Sequence, residues 1–476
     1  MLAIACLNNF DISENLEQLA EKLHHMRYTR TIIYFKGPAH NYVKSILEKC
    51  EDLQILNTLL VPFDFQKSRK YYSWEKFPFF EVKLHIFDEF QQTTYFPNKI
   101  KNLKGAILRA YPDRSIPNSF IYTNKKGEVI LSGYIGKFVK NFAQNINATL
   151  EFPYSNDNST VFYRQILHTV GNGSFDIGVT LSVPQNFIEQ GLHSYPFEFV
   201  KWMPMLPLLK DLDTSEVFFY MSSTEIILTL FTLFLIYSVL LTYNEVFYKP
   251  LKDVNFINFI FNEKGICGIV GSSFKTQKEP LLNLRIVYMS IFLTGLVFNS
   301  MYGAHLNTFF TKPLPAKQIK SFDDLLDGPV KIMIAEQEVH VFNVNPGKHF
   351  WPKYHSGFVV VPMFQDFIKT RDSLNTSYGY PVTSTFWPMI EEQQSLFTRK
   401  LFQIVDNMYF VPFSHFSVPL QENSIYKEHV DVYVFNAQDS GLLRHWISTS
   451  FRDLVKLRRM SYRDLSKRHT VTALKK

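Results

Sequence analysis

Two stretches of this chain carry neither charge nor a polar face. Ile226 to Tyr243 is rich in Leu, Ile and Phe, with Glu225 and Glu245 just outside it. Ile286 to Ala304 is equally uncharged, and 19 helical residues at about 1.5 Å each approach the apolar thickness of a bilayer. A buried core helix is the alternative, but such a helix normally keeps polar residues on one face. The pattern therefore predicts two transmembrane helices, at 224–244 and 285–305.

On either side the hydrophobic period is that of strands and amphipathic helices. Gly105–Ala110 reads as a strand, and Gly127 and Gly133 punctuate a hairpin. Phe138, Val139, Phe142, Ala143 and Ile146 recur at helical spacing within 136–147. Strands follow at 148–152 and 176–181. After the second span, Ser321 caps a short helix with acids in its first turn. A strand at 331–335 and a terminal helix at 445–457 come next. Residues 1–98 read as a short α/β region, with 30–35 as a strand. Strand–helix–strand order of this kind points to α/β layers.

The segment between the spans, 245–284, holds Lys249, Lys252, Lys264, Lys275 and Lys278 and is followed by Arg285, a basic short loop of the kind that stays cytoplasmic. It also contains the short apolar run Val254–Phe261, then Gly265, Gly268 and Gly271. That order suits a re-entrant pore segment, and an ordinary amphipathic loop is the alternative.

Composition narrows the function. With 476 residues there is room for two or three domains. The net charge of +7 sits mostly in the tail, so it does not argue for nucleic acid: 444–476 carries ten Lys/Arg against two acids. No zinc spacing, Walker loop or nucleophile elbow is present, and neither an enzyme activity nor a cofactor or metal is expected. Three cysteines exclude a disulfide framework, although Cys6 and Cys50 remain a possible pair. The glycosylation sequons begin at Asn147, Asn158, Asn172 and Asn375. They lie on both flanks and not between the spans, so both flanks are expected outside.

One run is specific. Arg285-Ile286-Val287 opens it, and Tyr302-Gly303-Ala304-His305-Leu306-Asn307-Thr308-Phe309-Phe310-Thr311 closes it. It resembles the gate helix of ionotropic glutamate receptors, which begins Arg-Ile-Val and ends Tyr-Thr-Ala-Asn-Leu-Ala-Ala-Phe-Leu-Thr. Tyr302, Ala304, Leu306, Phe309 and Thr311 match without a gap. Within that superfamily the chain is most similar to the insect ionotropic receptors. Phe96-Pro97-Asn98-Lys99-Ile100-Lys101-Asn102-Leu103-Lys104-Gly105 resembles the opening of their first half-domain. Gly133–Gly136, Asn147–Phe152 and Ser194-Tyr195-Pro196-Phe197 continue the likeness in order.

The resemblance implies a bilobed, periplasmic-binding-protein-like ligand domain split around a helical pore. Its halves would be 99–215 and 315–460, followed by a basic tail at 461–476. The chain would be a multi-pass plasma-membrane protein and a chemosensory ligand-gated cation channel subunit, in a hetero-tetramer with related subunits. The family grips an amino-acid carboxylate with an arginine just before Ser-x-Pro-Phe, yet no arginine lies between Arg164 and Arg285. The family's acid in Tyr-Leu-Leu-Glu-Ser-Thr is replaced by Thr383. A small neutral ligand is therefore expected, lined by Thr180, Ser182, Gln185 and Thr383, unless these are ordinary strand and cap residues. Ser290, Thr294 and Asn299 either line the pore or bond backbone carbonyls of their own helix. The family places a third span after the second half; here Ser461–Leu465 resembles its lead-in and no apolar run follows. A non-conducting, membrane-tethered binding or modulatory subunit, or a shortened copy of such a gene, is the alternative expectation. The opening Met1–Asn8 run is too short, and lacks the basic residues, for a secretory leader.

Overall fold

A computed structural model of the chain describes residues 1–7, 12–36, 39–88, 94–153, 159–184, 189, 191–209, 224–246, 256–276, 282–311, 318–344, 347 and 349–466. It forms two units: Met1–Pro207 with Ile319–Lys476, and Leu208–Gln318. The first is mixed α/β with several sheets. The second is helical.

In the larger unit, strands β1 (Leu2–Leu7), β2 (Arg30–Phe35), β3 (Thr58–Pro62), β4 (Lys70–Glu75) and β5 (Glu81–Ile86) form one sheet in that order. The opening apolar run is thus a strand, paired in parallel with β2 from Leu2↔Arg30 to Leu7↔Phe35. Helix Ala39–Asp52 crosses between β2 and β3 and buries Val43, Ile46, Leu47 and Cys50, one face at helical spacing. Cys6 and Cys50 do not pair: both are free, one exposed and one buried. Cys50 is directed inward by its helix, while Cys6 stands on the open side of β1.

Next come β6 (Ile107–Pro112), the hairpin β7 (Phe120–Thr123) and β8 (Val129–Ser132), β9 (Thr149–Glu151) and β10 (Ile177–Val179). β6 pairs in parallel with both β9 and β10. The helix expected at 136–147 runs from Tyr134 to Asn145 and buries Phe138, Val139, Phe142 and Ala143. These apolar faces join those of the first sheet in one core, from Leu7 and Trp74 to Phe142 and Phe197.

Strand β11 (Glu198–Pro207) leaves this core and enters a second one. It pairs antiparallel with β14 (Tyr378–Thr383), whose parallel neighbours in turn are β12 (Lys331–Ala335) and β13 (Phe358–Val361). β15 (Phe402–Ile404) and β16 (Val411–Phe416) complete the sheet against β11. The second core gathers Met205, Phe367, Tyr380, Phe402 and Phe451. The chain then returns: Val418, Leu420, Val430 and Val434 pack in the first core. The chain thus passes between the two cores more than once, and the boundary expected at 215 lies outside the described residues. β11 already belongs to the second sheet, and helix Lys427–Asp439 belongs to the first core. Gly441, at φ +73°, separates it from helix Leu442–Lys456. That left-handed turn suits glycine, which has no Cβ to clash.

In the smaller unit, helices Thr224–Val246 and Leu282–Thr311 contain the two apolar runs. Each is long and apolar enough to span a membrane, and only 17% and 22% of their apolar windows are buried within the chain. The part that is buried includes Tyr237, Leu241, Leu284, Tyr288 and Ile291. Between them, Phe256–Phe259 makes a single 3-10 turn and Glu263–Val270 a short helix. The glycines expected to break the backbone sit otherwise. Gly265 and Gly268 lie within that helix, and Gly271 ends it at φ +80°. Val254 and Asn255 lie outside the described residues.

Candidate functional site

The two cores of the larger unit meet along the strands that pass between them. Glu198 pairs with Phe416, and isolated bridges join Ser182 to Ser417, His193 to Pro419 and Ile177 to Leu420. Two buried carboxylates stand at this seam.

Asp113 follows β6 and keeps only 3% of its surface. It accepts hydrogen bonds from Ser115 N (3.0 Å), Ser119 Oγ (2.5 Å), Asn118 Nδ2 (3.0 Å) and Thr180 Oγ1 (2.9 Å). Burial pushes its pKa up to about 6, and the four donors oppose that rise. Glu198, at the start of β11, is 6% exposed. Tyr134 OH, from the first core, donates to its Oε1 at 3.0 Å. Thr385 Oγ1, from the second sheet's side, donates to its Oε2 at 2.9 Å. Burial pushes this carboxyl up to about 7 against both bonds. Glu198 is thus a polar clasp between the two halves of the unit.

A third acid lies on the second core. Burial pushes Glu338 up to about 7 while Arg371 pulls it down, and its Oε2 has no hydrogen-bond partner. Arg371 pairs with Asp372 at 2.9 Å and donates across to Ile116 O at 3.3 Å. From the first core, Phe162 meets Phe364 edge-on at 5.2 Å. The next residues face charge as well. Tyr163 is raised chiefly by burial, with Glu338 and Glu189 acting on it; His340 is lowered by burial and then by Arg164.

The residues expected to line a ligand site divide between scaffolds. Thr180 is bound to Asp113, and Ser182 Oγ lies 2.7 Å from His193 Nε2. His193 is buried and braced by the Glu189 carbonyl and by Lys427, which donates to its own carbonyl. Thr383, at the end of β14, accepts from Phe386 N at 3.2 Å. Each hydroxyl already has a protein partner. Gln185 lies outside the described residues, as does Asn158. Asn147 and Asn172 are exposed on turns after helices, and Asn375 is half-buried in a turn. The sequence reading missed Glu198, Asp113 and Glu338. An acid set between Phe197 and Phe199 was the available signal for the first.

In the helical unit, Ser290 Oγ bonds Val287 O and Thr294 Oγ1 bonds Ser290 O, both at 2.8 Å. Asn299 Nδ2 bonds Gly295 O at 2.8 Å and reaches Ile269 O at 3.4 Å. Each of these side chains thus bonds a carbonyl of its own helix. Thr294 also meets Tyr237 OH on the other apolar helix at 2.8 Å. Thr294 and Tyr302 line an apolar groove of about 820 Å³ between the two helices, walled by Leu230, Leu233 and Phe298. Ala304 is exposed and Leu306 half-buried beyond it. The short helix 263–270 packs through glycine. A Cβ on Gly295 would stand 2.2 Å from the carbonyl oxygen of Gly268.

Among the described residues no group of His, Cys, Asp and Glu is placed to hold a metal ion. A scan against protein-family models finds no match, and a search of curated proteins finds none. The functional reading therefore rests on this chain's own pattern and geometry.

Proposed function

We propose that the chain is a subunit of a ligand-gated cation channel of the ionotropic receptor type, chemosensory, and tuned to a ligand other than glutamate. The observation that carries this reading is the insertion. A gate-like sequence lies on the unbroken helix Leu282–Thr311, between two flanks that fold into one α/β body. β11 precedes the helical segment and β14, β15 and β16 follow it, yet all four share one sheet. Both ends of the inserted segment must then face the same side of a membrane, which two crossings satisfy and one does not. The sequons on the flanks favour the extracellular side.

On this reading the two cores are the lobes of a bilobed clamshell and the seam at Glu198 its hinge. A ligand that binds the closed form more tightly than the open one supplies the work that moves the gate. The cation needed for an amino-acid carboxylate is missing from the family's position, so a neutral ligand is favoured over glutamate or glycine. The apolar groove beside Thr294 and Tyr302 is a place for a helix of a neighbouring subunit, which supports a tetramer with related chains.

Co-expression with partner subunits tests the proposal. The expected outcome is a ligand-dependent cation current whose pharmacology changes when this chain is present. Normal surface delivery with unchanged currents favours a non-conducting, tethered binding subunit.

A further inference from the structure

The basic excess near the end of the chain takes no part in the channel reading, and much of it is gathered on one helix face. In helix Leu442–Lys456 the core takes Trp446, Ser450, Phe451 and Leu454. The opposite face carries Arg444, His445, Ser448, Arg452 and Lys456, all exposed. At 3.6 residues per turn they occupy an arc of about 120° and run for about 18 Å along the axis. Arg458, also exposed, extends the row past the helix end. Its neighbour Arg459 is instead turned inward, donating to Ile121 O at 3.4 Å with its guanidinium 5.7 Å from the centre of the Phe120 ring.

The helix has one acid, Asp453, and it is already held: Lys137 Nζ lies 2.7 Å from it and Ser132 Oγ donates to it at 3.1 Å. The pKa of Lys137 is lowered by burial first, and Arg452 and Lys456 add to that from alongside. Among the described residues the side chains of Arg444, Arg452, Lys456 and Arg458 make no hydrogen bond or ion pair. Like charges four residues apart, as Arg452 and Lys456 are, weaken a helix that nothing neutralises. We propose that this face binds a sulfated polysaccharide. A row of exposed, unpaired cations along a straight helix matches a linear polyanion. Arginine's planar fork takes an oxyanion through two N–H groups at once. The face has no Phe, Tyr or Trp on which a nucleobase could stack, and no large apolar side chain to enter a lipid surface. On the topology proposed above it is extracellular, which favours a matrix polysaccharide; the binding itself does not depend on the channel reading.

The test uses the full chain held in phosphatidylcholine nanodiscs and titrated with fluorescent heparin at about 0.15 M salt. Saturable binding is expected, weakening steeply as salt rises because each contact releases a counterion. Arg444→Gln, Arg452→Gln and Lys456→Gln together should weaken it at least about tenfold. The triple variant should melt no lower than the parent chain, since none of the three side chains holds a partner. Lys22, Lys67 and Lys70 are exposed on the same unit. Replacing those three by Gln removes the same charge and should change the affinity less than about twofold. Should the first triple variant misfold, Arg452→Gln against Lys67→Gln carries the comparison. Desulfated heparin should not compete. Equal losses in the two sets of variants would reduce the binding to net charge and overturn the proposal. So would equal or tighter binding of a DNA duplex or of phosphatidylserine vesicles, loss of binding on deletion of 467–476 alone, or the absence of saturation.

Discussion

Polar side chains along the two long apolar helices and buried polar groups of the α/β unit are satisfied in opposite ways. In the helices, Thr229, Thr232, Thr294, Asn299 and Thr308 each bond the carbonyl four residues back. In the α/β unit the buried polar groups reach far along the chain. Thr180 bonds Asp113, Tyr134 bonds Glu198, and Ser132 bonds Asp453 at 3.1 Å. The difference follows from the surroundings. A polar group on the outward side of an apolar helix has its own backbone as nearest partner, whereas a buried one can fix one element against another. Close packing in the helical unit therefore falls to glycine, and cohesion between the cores of the α/β unit falls to buried acids.

The sharpest way to break the first half of that comparison is Gly295→Leu. The obstacle is the Gly268 backbone, which cannot swing aside as a side chain can. Gly268 itself faces the Ile291 side chain, which can. We expect Gly295→Leu to destabilise the helical unit by about 3 kcal/mol. Gly268→Ala should do less. Thermal melting in detergent, with surface delivery as the cellular readout, checks the order of the two.

The second half is probed by pH. Glu198 titrates at about 7 in the folded chain, against an ordinary 4.5. Its folded form binds the proton more tightly, so the stability it confers is complete below about pH 4.5. That stability fades as pH rises through 7. The groups around it are Tyr134 and Thr385, with Asp113 acting on Tyr134. Between about pH 5 and 8 the loss should be on the order of 2 kcal/mol. Glu198→Gln keeps an acceptor for one hydroxyl and donates its amide N–H to the oxygen of the other; it should flatten that part of the profile, leaving the shares due to Asp113 and Glu338. An unchanged slope in the variant would show that Glu198 is not the group.

The same contrast explains what was legible beforehand. The two apolar helices were visible because a long apolar run is a local property, written in consecutive residues. The helix at Tyr134–Asn145 and strands such as β2, β6 and β12 were equally local, and the observed bounds differ by a few residues. The course of the chain between the cores was not legible. That Glu198 begins the strand leaving the first core, and that Val418 and Leu420 return to it, depends on pairings across some 200 residues of sequence. The candidate site suffers most from this. Thr180, Ser182 and Thr383 are recognisable as polar residues at strand ends, but only their partners show that each is engaged by its own scaffold. Glu198 gave a faint signal as an acid between two phenylalanines, whereas Asp113 gave none.

The finest test of the comparison is a contact by which one apolar helix addresses the other through hydroxyls. Tyr237 OH and Thr294 Oγ1 lie 2.8 Å apart, and Tyr237 also reaches Ser290 O at 3.4 Å. Thr294 already bonds the Ser290 carbonyl of its own helix, so removing the phenol leaves no orphan on that side. The ring remains packed with Leu241, Tyr288 and Ile291. Tyr237→Phe should therefore cost only about 0.6 kcal/mol, the usual worth of a hydrogen bond between membrane helices. Tyr237→Ala, which removes the ring as well, should cost several times more. If local satisfaction governs this unit, the two variants separate widely in a detergent melt. A loss from Tyr237→Phe as large as that from Tyr237→Ala would mean that the hydroxyl contact, rather than packing, holds the helices together.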